Sequence, residues 1–145
     1  MIAPEVVIAE ARSWIDTPFE HGQSCKGAGC DCIGYIAGVD TNVGLPEGAS
    51  FLSDPRYKGY GRTPNPALLL QACDDYMDRI DIKDAGLADV LVFRMAGQPH
   101  HFGIVSSLDP LYMVHSIANK KVAENRIDEK WAKRIMRAYR LRGVG

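Results

Sequence analysis

Residues 27–38, Gly-Ala-Gly-Cys-Asp-Cys-Ile-Gly-Tyr-Ile-Ala-Gly, decide how this sequence folds. A glycine-rich loop ends in an aspartate and a cysteine, and small and apolar residues follow. Asp31 has the side chain of a helix N-cap, which predicts a helix that begins at Cys32. A thiol in the first turn of a helix lies at the positive end of the helix dipole, which favours the nucleophilic thiolate. Cys32 is therefore the candidate nucleophile.

The other three cysteines have simpler interpretations. Cys25, Cys30 and Cys32 are separated by four residues and then by one, which is not a usual zinc-ligand spacing, and no fourth ligand stands at a matching offset. Cys73 lies in an apolar stretch that is typical of a buried helix. This spacing leads us to expect no metal. We expect reduced thiols, because the sequence shows no sign of a secretory leader.

Length and composition predict one globular domain over residues 1–145. The chain is 46% hydrophobic and 24% charged with a net charge of −1, so neither disorder nor a nucleic-acid-binding surface is indicated. No apolar run approaches the ~20 residues that a membrane helix needs. We expect synthesis in the cytoplasm without a signal peptide. A protein of this kind that acts outside its cell leaves by lysis, by a dedicated machine or within a particle.

Charge is uneven along the chain. From Lys120 onward there are nine Lys and Arg against three Asp and Glu, whereas the acidic residues exceed the basic ones before it. This basic stretch has two interpretations. It faces an anionic polymer or an acidic partner protein, or it forms a solvated face beside the acidic half of the chain.

Helical spacing dominates the first half of the chain. The apolar spacing over residues 3–16 predicts a helix, with Trp14 as a core anchor rather than a substrate platform. A second helix runs from Cys32 to about Asn42, and its glycines at 34 and 38 require close-packed neighbours. Residues 45–66 are interpreted as a long connection, either a groove wall or a surface wrap. Residues 67–80 are predicted to form a third helix.

Strand patterns dominate the second half. We predict strands at residues 90–93, 101–107, 111–117, 121–127 and 137–142, with turns at residues 97–99 and 108–110. Helices followed by an antiparallel run of about five strands define an α+β fold. Alternation places His101 on one strand face and His100 on the other. If the two neighbouring strands pair, His101 and His115 lie side by side on a face that also receives the Cys32 end of the helix.

A cysteine nucleophile needs a base within hydrogen-bond reach and a third group that orients the base. Taken alone, each histidine or cysteine of this chain is more often structural. The combination of a capped cysteine at a helix start and two histidines on neighbouring strands is what indicates a catalytic site.

The sequence resembles the NlpC family of papain-like cysteine peptidases, which cut bacterial cell-wall peptides. The matching segments are residues 14–19, Trp-Ile-Asp-Thr-Pro-Phe; 29–34, Gly-Cys-Asp-Cys-Ile-Gly; 86–93, Gly-Leu-Ala-Asp-Val-Leu-Val-Phe; 101–105, His-Phe-Gly-Ile-Val; and 113–116, Met-Val-His-Ser. Their order and spacing agree over nearly the whole chain. The resemblance implies a papain-like fold, Cys32 as nucleophile, His101 as general base and His115 as the orienting residue.

The resemblance also implies a substrate and a set of partners. Family members cleave stem peptides of peptidoglycan next to D-glutamate through an acyl-enzyme, without a cofactor. The backbone N–H of Cys32, beside Asp31, is the expected oxyanion donor. Phe19 replaces the usual tyrosine, so His21 or Gln23 is expected to supply the missing donor, and Ile33 replaces the usual serine.

The form of the loop after the first helix most resembles members from phage tails and gene transfer agents. Such a protein acts at the bacterial wall, as part of a particle, and aids DNA entry. Its partners are then tail-tip or baseplate proteins, with no direct nucleic-acid contact and no membrane insertion. Two alternatives stay open: an inactive structural component of a phage-like tail tip, and a different acyl-transfer reaction on the same scaffold.

Overall fold

The computed structural model describes residues 1–58, 65–95 and 100–145. Helices occupy the first half of the chain and a sheet the second. The helices are α1 Pro4–Ser13, α2 Cys32–Asn42, α3 Glu47–Ser53, α4 Pro66–Tyr76 and the short α5 Glu129–Ala132. Within the described ranges, no helix has the length and apolarity that crossing a membrane requires.

The main sheet is antiparallel and has six strands, which confirms the predicted α+β fold with an antiparallel sheet of about five strands. Its strands are β3 Met77–Ile80, β4 Val90–Phe93, β5 His101–Leu108, β6 Leu111–Ser116, β7 Val122–Arg126 and β8 Ile135–Leu141. They lie in the order β3-β8-β4-β5-β6-β7. A separate hairpin of β1 Ser24–Cys25 and β2 Gly29–Cys30 precedes α2.

The sixth strand comes from a segment that was predicted to continue the third helix to residue 80. The helix instead ends at Tyr76, and Met77 is already extended, with φ −135° and ψ 164°. Met77–Ile80 then pairs with β8 as an edge strand. The apolar spacing that reaches Ile80 fits a helix, but the hydrogen bonds offered by β8 decide the conformation.

Two other predictions concern loops. Residues 45–66 are not one irregular connection, because α3 forms within them and buries Phe51. Residues 59–64 of that stretch, and the turn predicted at residues 97–99, lie outside the described residues. The turn at residues 108–110 is confirmed as the connection of the β5–β6 hairpin.

Helix α2 lies at the centre of the helical layer. It runs from Cys32 to Asn42 as predicted, and its residues 33–40 are all buried. A Cβ atom at Gly34 would overlap the carbonyl oxygen of Gln23, and one at Gly38 would overlap the ring of Trp14. Trp14 is 1% exposed and is a core anchor, as predicted. The two glycines are therefore required for close packing.

The two faces of the sheet carry different clusters. Phe102, Ile104 and Val114 face the helices and join the larger apolar core. Val105 and Met113 face the other way, in a smaller cluster with Phe93 and Trp131. His101 shares the second face, as its alternation with Val105 predicts.

The basic C-terminal stretch divides into two parts. The arginines of β8 and its end form ion pairs within the molecule: Arg140 with Asp89 at 2.8 Å and Arg142 with Asp78 at 3.1 Å. Asp89 is 1% exposed, so its pair with Arg140 is part of the fold. These arginines agree with the interpretation as a face paired with the acidic half. Lys130 of α5 and Arg134 just after it lie elsewhere, beside the site described below.

Candidate active site

Asp31 fixes the N-terminus of α2. Its Oδ1 accepts a hydrogen bond from the N–H of Gly34 at 2.7 Å, which is the predicted N-cap. Its Oδ2 accepts a second hydrogen bond, from the N–H of Gly22 at 2.8 Å. The side chain is 6% exposed. One side chain thus holds both the helix end and the loop that leads to it.

Cys32 meets the sheet where β5 begins. Its Sγ lies 4.0 Å from the carbonyl oxygen of His100, and within the described residues this carbonyl is the acceptor of the thiol's hydrogen bond. The body of α2 packs against the face that carries Phe102 and Ile104. The expectation that the histidine-bearing face receives the helix end is therefore corrected: contact occurs at the start of the strand, one residue before His101.

The protonation of Cys32 also differs from the expectation. Burial raises the pKa of the thiol, and the carboxylate of Asp31 raises it further. Backbone N–H groups at the helix start and at Phe102 act in the opposite direction, as the helix-dipole argument predicts, but they are the smaller contribution. Loss of solvation is the largest of these contributions, so the pKa of the thiol lies above its ordinary value.

The two histidines form a direct pair. His101 Nε2 and His115 Nδ1 are 2.7 Å apart, and both side chains are buried. This hydrogen bond leaves Nδ1 of His101 as the nitrogen that is available to a thiol. The hairpin of β5 and β6 positions both rings, as the sequence predicts. Burial and then the charge of His115 lower the pKa of His101 to about 3, so its imidazole is neutral near pH 7.

The sequence did not predict that Asn125 belongs to the site. Its Oδ1 lies 2.9 Å from Nε2 of His115, on the side away from His101. Ala123 stands directly across from His115, so the small side chain leaves Asn125 room to reach the ring diagonally. Only the register between the two strands brings Asn125 there, and a strand pattern in the sequence does not fix a register.

The sequence also did not predict that Trp131 belongs to the site. Its ring lies 5.6 Å from that of His101 and 5.9 Å from that of His115, measured between centroids. Asp128 Oδ1 accepts a hydrogen bond from the N–H of Trp131 and caps α5. An aspartate three residues before a tryptophan is the signal that would have indicated this capped turn. Trp131 shields the bond between the imidazoles from water.

A cleft of about 450 Å³ opens beside the histidine pair. Its walls combine the two imidazoles with an aromatic and several small or polar side chains: Met95, His101, His115, Ile117, Ala118, Asn125, Arg126, Asp128 and Trp131. Its volume is that of a site for a small molecule or a short peptide segment. A smaller cavity of about 190 Å³ is lined by Lys130, Trp131 and Arg134. Trp131 thus lies between the cleft and a pair of cations.

The expected oxyanion and substrate residues lie around the N-terminus of α2, with different degrees of contact. His21 Nδ1 is 4.0 Å from Oδ2 of Asp31, which places His21 beside the capping carboxylate. Gln23 is exposed, and its carbonyl oxygen accepts a hydrogen bond from the N–H of Asp31. Phe19 is half-buried and forms a backbone bridge with Cys30. Their proposed donor roles stay predictions.

The remaining cysteines are placed as the sequence predicts. Cys73 is buried in α4, and burial raises the pKa of its thiol to about 12. Cys30 is fully buried, and its carbonyl accepts a hydrogen bond from Ser116 Oγ at 3.0 Å, which ties the hairpin before α2 to β6. Cys25 is exposed. Cys32 is the cysteine whose sulfur lies at the start of β5, 4.0 Å from the carbonyl oxygen of His100.

Comparisons with solved structures define the fold. The chain is similar to the NlpC/p60 domain of the peptidoglycan hydrolase SagA, with a TM-score of 0.65, 18% identity and coverage of 97% of this chain and 100% of that one. An NlpC/P60 family protein from Bacillus cereus gives a TM-score of 0.66 at 18% identity. A protein from Staphylococcus aureus, described as similar to a lipoprotein of the NLP/P60 family, gives 0.64 at 19% identity.

The match to the Bacillus protein covers 97% of this chain but 40% of that one. The match to the Staphylococcus protein covers 95% of this chain and 41% of that one. This chain therefore spans less than half the length of these two proteins. Neither a scan against protein-family models nor a search of curated proteins found a match. At these identities the likeness shows the fold: this chain has the papain-like α+β fold of NlpC/P60 domains. Activity and substrate are matters for proposal.

Proposed function

We propose that this protein is a cysteine endopeptidase that hydrolyses amide bonds in the stem peptides of peptidoglycan, next to D-glutamate. The observation that carries the proposal is the meeting of Cys32 with the start of β5. The thiol lies 4.0 Å from the carbonyl of the residue before His101, and His101 is paired with His115 at 2.7 Å. The likeness to the fold of a peptidoglycan hydrolase domain supports the substrate class.

The reaction would proceed through an acyl-enzyme. The Cys32 thiol turns from the carbonyl of His100 towards Nδ1 of His101 and transfers its proton as its sulfur attacks the amide carbon. The N–H of Cys32 donates to the oxyanion. His101 then gives the proton to the leaving amine, and water hydrolyses the thioester. No cofactor takes part.

Digestion of purified peptidoglycan tests the proposal. We expect wild-type protein to release peptides that mass spectrometry identifies as cleaved beside D-glutamate, and Cys32→Ala to release none above background. Cys25→Ala is the matched control, because Cys25 is exposed and stands on the hairpin before α2. Equal release by wild type and Cys32→Ala would refute the assignment. Cleavage at a different bond that still requires Cys32 would support Cys32 as the nucleophile but refute the proposed specificity for the bond next to D-glutamate.

A structural role without catalysis is the second candidate, and two observations favour it. Phe19 lacks the hydroxyl that the resemblance leads us to expect, and burial raises the pKa of the Cys32 thiol. Labelling with a thiol reagent separates the candidates. Under the catalytic proposal, His101→Ala slows the labelling of Cys32. Under the structural one, His101→Ala leaves the rate unchanged.

We also propose that the protein is a particle component that acts at the bacterial wall with tail-tip or baseplate partners and aids DNA entry. This proposal rests on the sequence resemblance. Mass spectrometry of purified particles from the producing cells tests it. Peptides of this chain that co-purify with intact tails would support it, and their absence from tails that contain every other tail protein would overturn it.

A further inference from the structure

The hydrogen bonds beyond the histidine pair form a continuous row. Asn125 Oδ1 lies 2.9 Å from Nε2 of His115, and Nδ1 of His115 lies 2.7 Å from Nε2 of His101. We infer that Asn125 is a positioning residue: its amide oxygen sets the tautomers of both imidazoles and thereby makes Nδ1 of His101 the basic nitrogen. The inference rests on the proposed function for its purpose, but the proton arrangement can be measured without any substrate.

The donors and acceptors along the row fix the position of each proton. A neutral imidazole has one N–H and one lone pair, and an amide oxygen only accepts. Nε2 of His115 therefore carries the proton that it donates to Asn125, and Nδ1 of His115 carries the lone pair. Nε2 of His101 must then be the donor to that lone pair, which leaves Nδ1 of His101 unprotonated. Reversing the row would place a proton on Nδ1 and remove the base.

The charges around the row fit a neutral chain. At the start of α2, Asp31 acts on Cys32; from the α5 side, Asp128 lines the cleft and uses one oxygen on the N–H of Trp131. Arg94 and Arg137 act on the neighbouring His100, and Arg126 lines the cleft. Burial lowers the pKa of both His101 and His115. An amide therefore fits where a carboxylate would draw a proton onto the pair.

Asn125 contributes little to packing. Its side chain is exposed and lies at the open edge of the cleft. Substitution is therefore compatible with the fold. Asn42→Ala is a matched control: Asn42 is also exposed, and it lies at the far end of α2 from Cys32.

Nuclear magnetic resonance of ¹⁵N-histidine-labelled protein near pH 7 reads each tautomer directly. In wild type we expect both His101 and His115 in the Nε2–H form. In Asn125→Ala the ratio of the Nε2–H tautomer to the Nδ1–H tautomer of these histidines should fall by roughly fivefold to tenfold, as expected for the loss of one hydrogen bond. Asn125→Asp should raise the pKa of His115, and Asn42→Ala should match wild type.

A wild-type His101 in the Nδ1–H form would overturn the inference, and so would tautomer ratios that Asn125→Ala leaves unchanged. The wild-type measurement decides even if a variant does not fold. Failure of the proposed function has a different signature: the tautomers are as expected, but peptidoglycan is not cleaved.

Discussion

Removal of the Asp31 carboxylate should weaken the fold and also activate the thiol. Asp31→Ala deletes hydrogen bonds of 2.7 and 2.8 Å to the N–H groups of Gly34 and Gly22, at a side chain that is 6% exposed. A hydrogen bond to a charged group contributes about 1.5–3 kcal/mol, and the lost N-cap alone costs about 1 kcal/mol. Allowing for water that replaces part of the carboxylate, we expect a loss of about 3–5 kcal/mol in the free energy of unfolding.

Asp31→Asn separates charge from capping. Its amide oxygen still accepts from Gly34, because asparagine caps helices as well as aspartate does, but its NH₂ group faces the N–H of Gly22. We expect a smaller loss, about 1–3 kcal/mol. Removing the negative charge also lowers the pKa of Cys32, since Asp31 is one of the causes that raise it. Labelling of Cys32 below the thiol pKa should therefore be faster in Asp31→Asn than in wild type.

Urea unfolding, monitored by the fluorescence of the buried Trp14, measures the free energy of unfolding. Mass mapping of the labelled peptide measures how fast the Cys32 thiol reacts. Asp81→Ala is the control, because Asp81 is exposed and makes no capping hydrogen bond; its effect should stay within about 0.5 kcal/mol. A loss below about 1 kcal/mol in Asp31→Ala, or equal losses in the two Asp31 variants, would refute the double-anchor role.

Two further predictions use the same unfolding assay. The folded-state pKa of His101 is about 3, below the unfolded value of about 6.5, so the unfolded chain binds the extra proton between these values. The contribution of His101 to the free energy of unfolding should be fully present above pH ~6.5 and should fall towards pH ~3 by up to about 1.4 kcal/mol per pH unit. His101→Gln should flatten this dependence of stability on pH. An unchanged slope would contradict the buried neutral imidazole. Gly38→Ala should cost about 1–3 kcal/mol through overlap with Trp14, despite the better helix propensity of alanine; a gain in stability would contradict the close packing.

Local signals predicted the parts of the site that lie within single elements. Asp31 before Cys32 is a cap in sequence and in structure, and alternation placed His101 on the correct face. The fold class followed from helices that precede strands. These signals are local because capping and face alternation depend on a few consecutive residues.

The errors concern features that depend on distant partners. Met77–Ile80 becomes a strand because β8 offers hydrogen bonds, and Asn125 reaches His115 because of one register between two strands. The pKa of Cys32 depends on how much solvent the fold removes, which is its largest cause. Sequence spacing carries none of these quantities.

Covalent trapping tests the central claim, that Cys32 attacks and His101 takes its proton, most directly. A defined stem peptide is mixed with enzyme, quenched within one turnover and digested for peptide mapping. We predict an acyl group on Cys32 of wild type, none on Cys32→Ala, and formation in His101→Ala slower by about 10²–10⁴. Acylation of another residue, or an acylation rate in His101→Ala equal to that of wild type, would contradict the account.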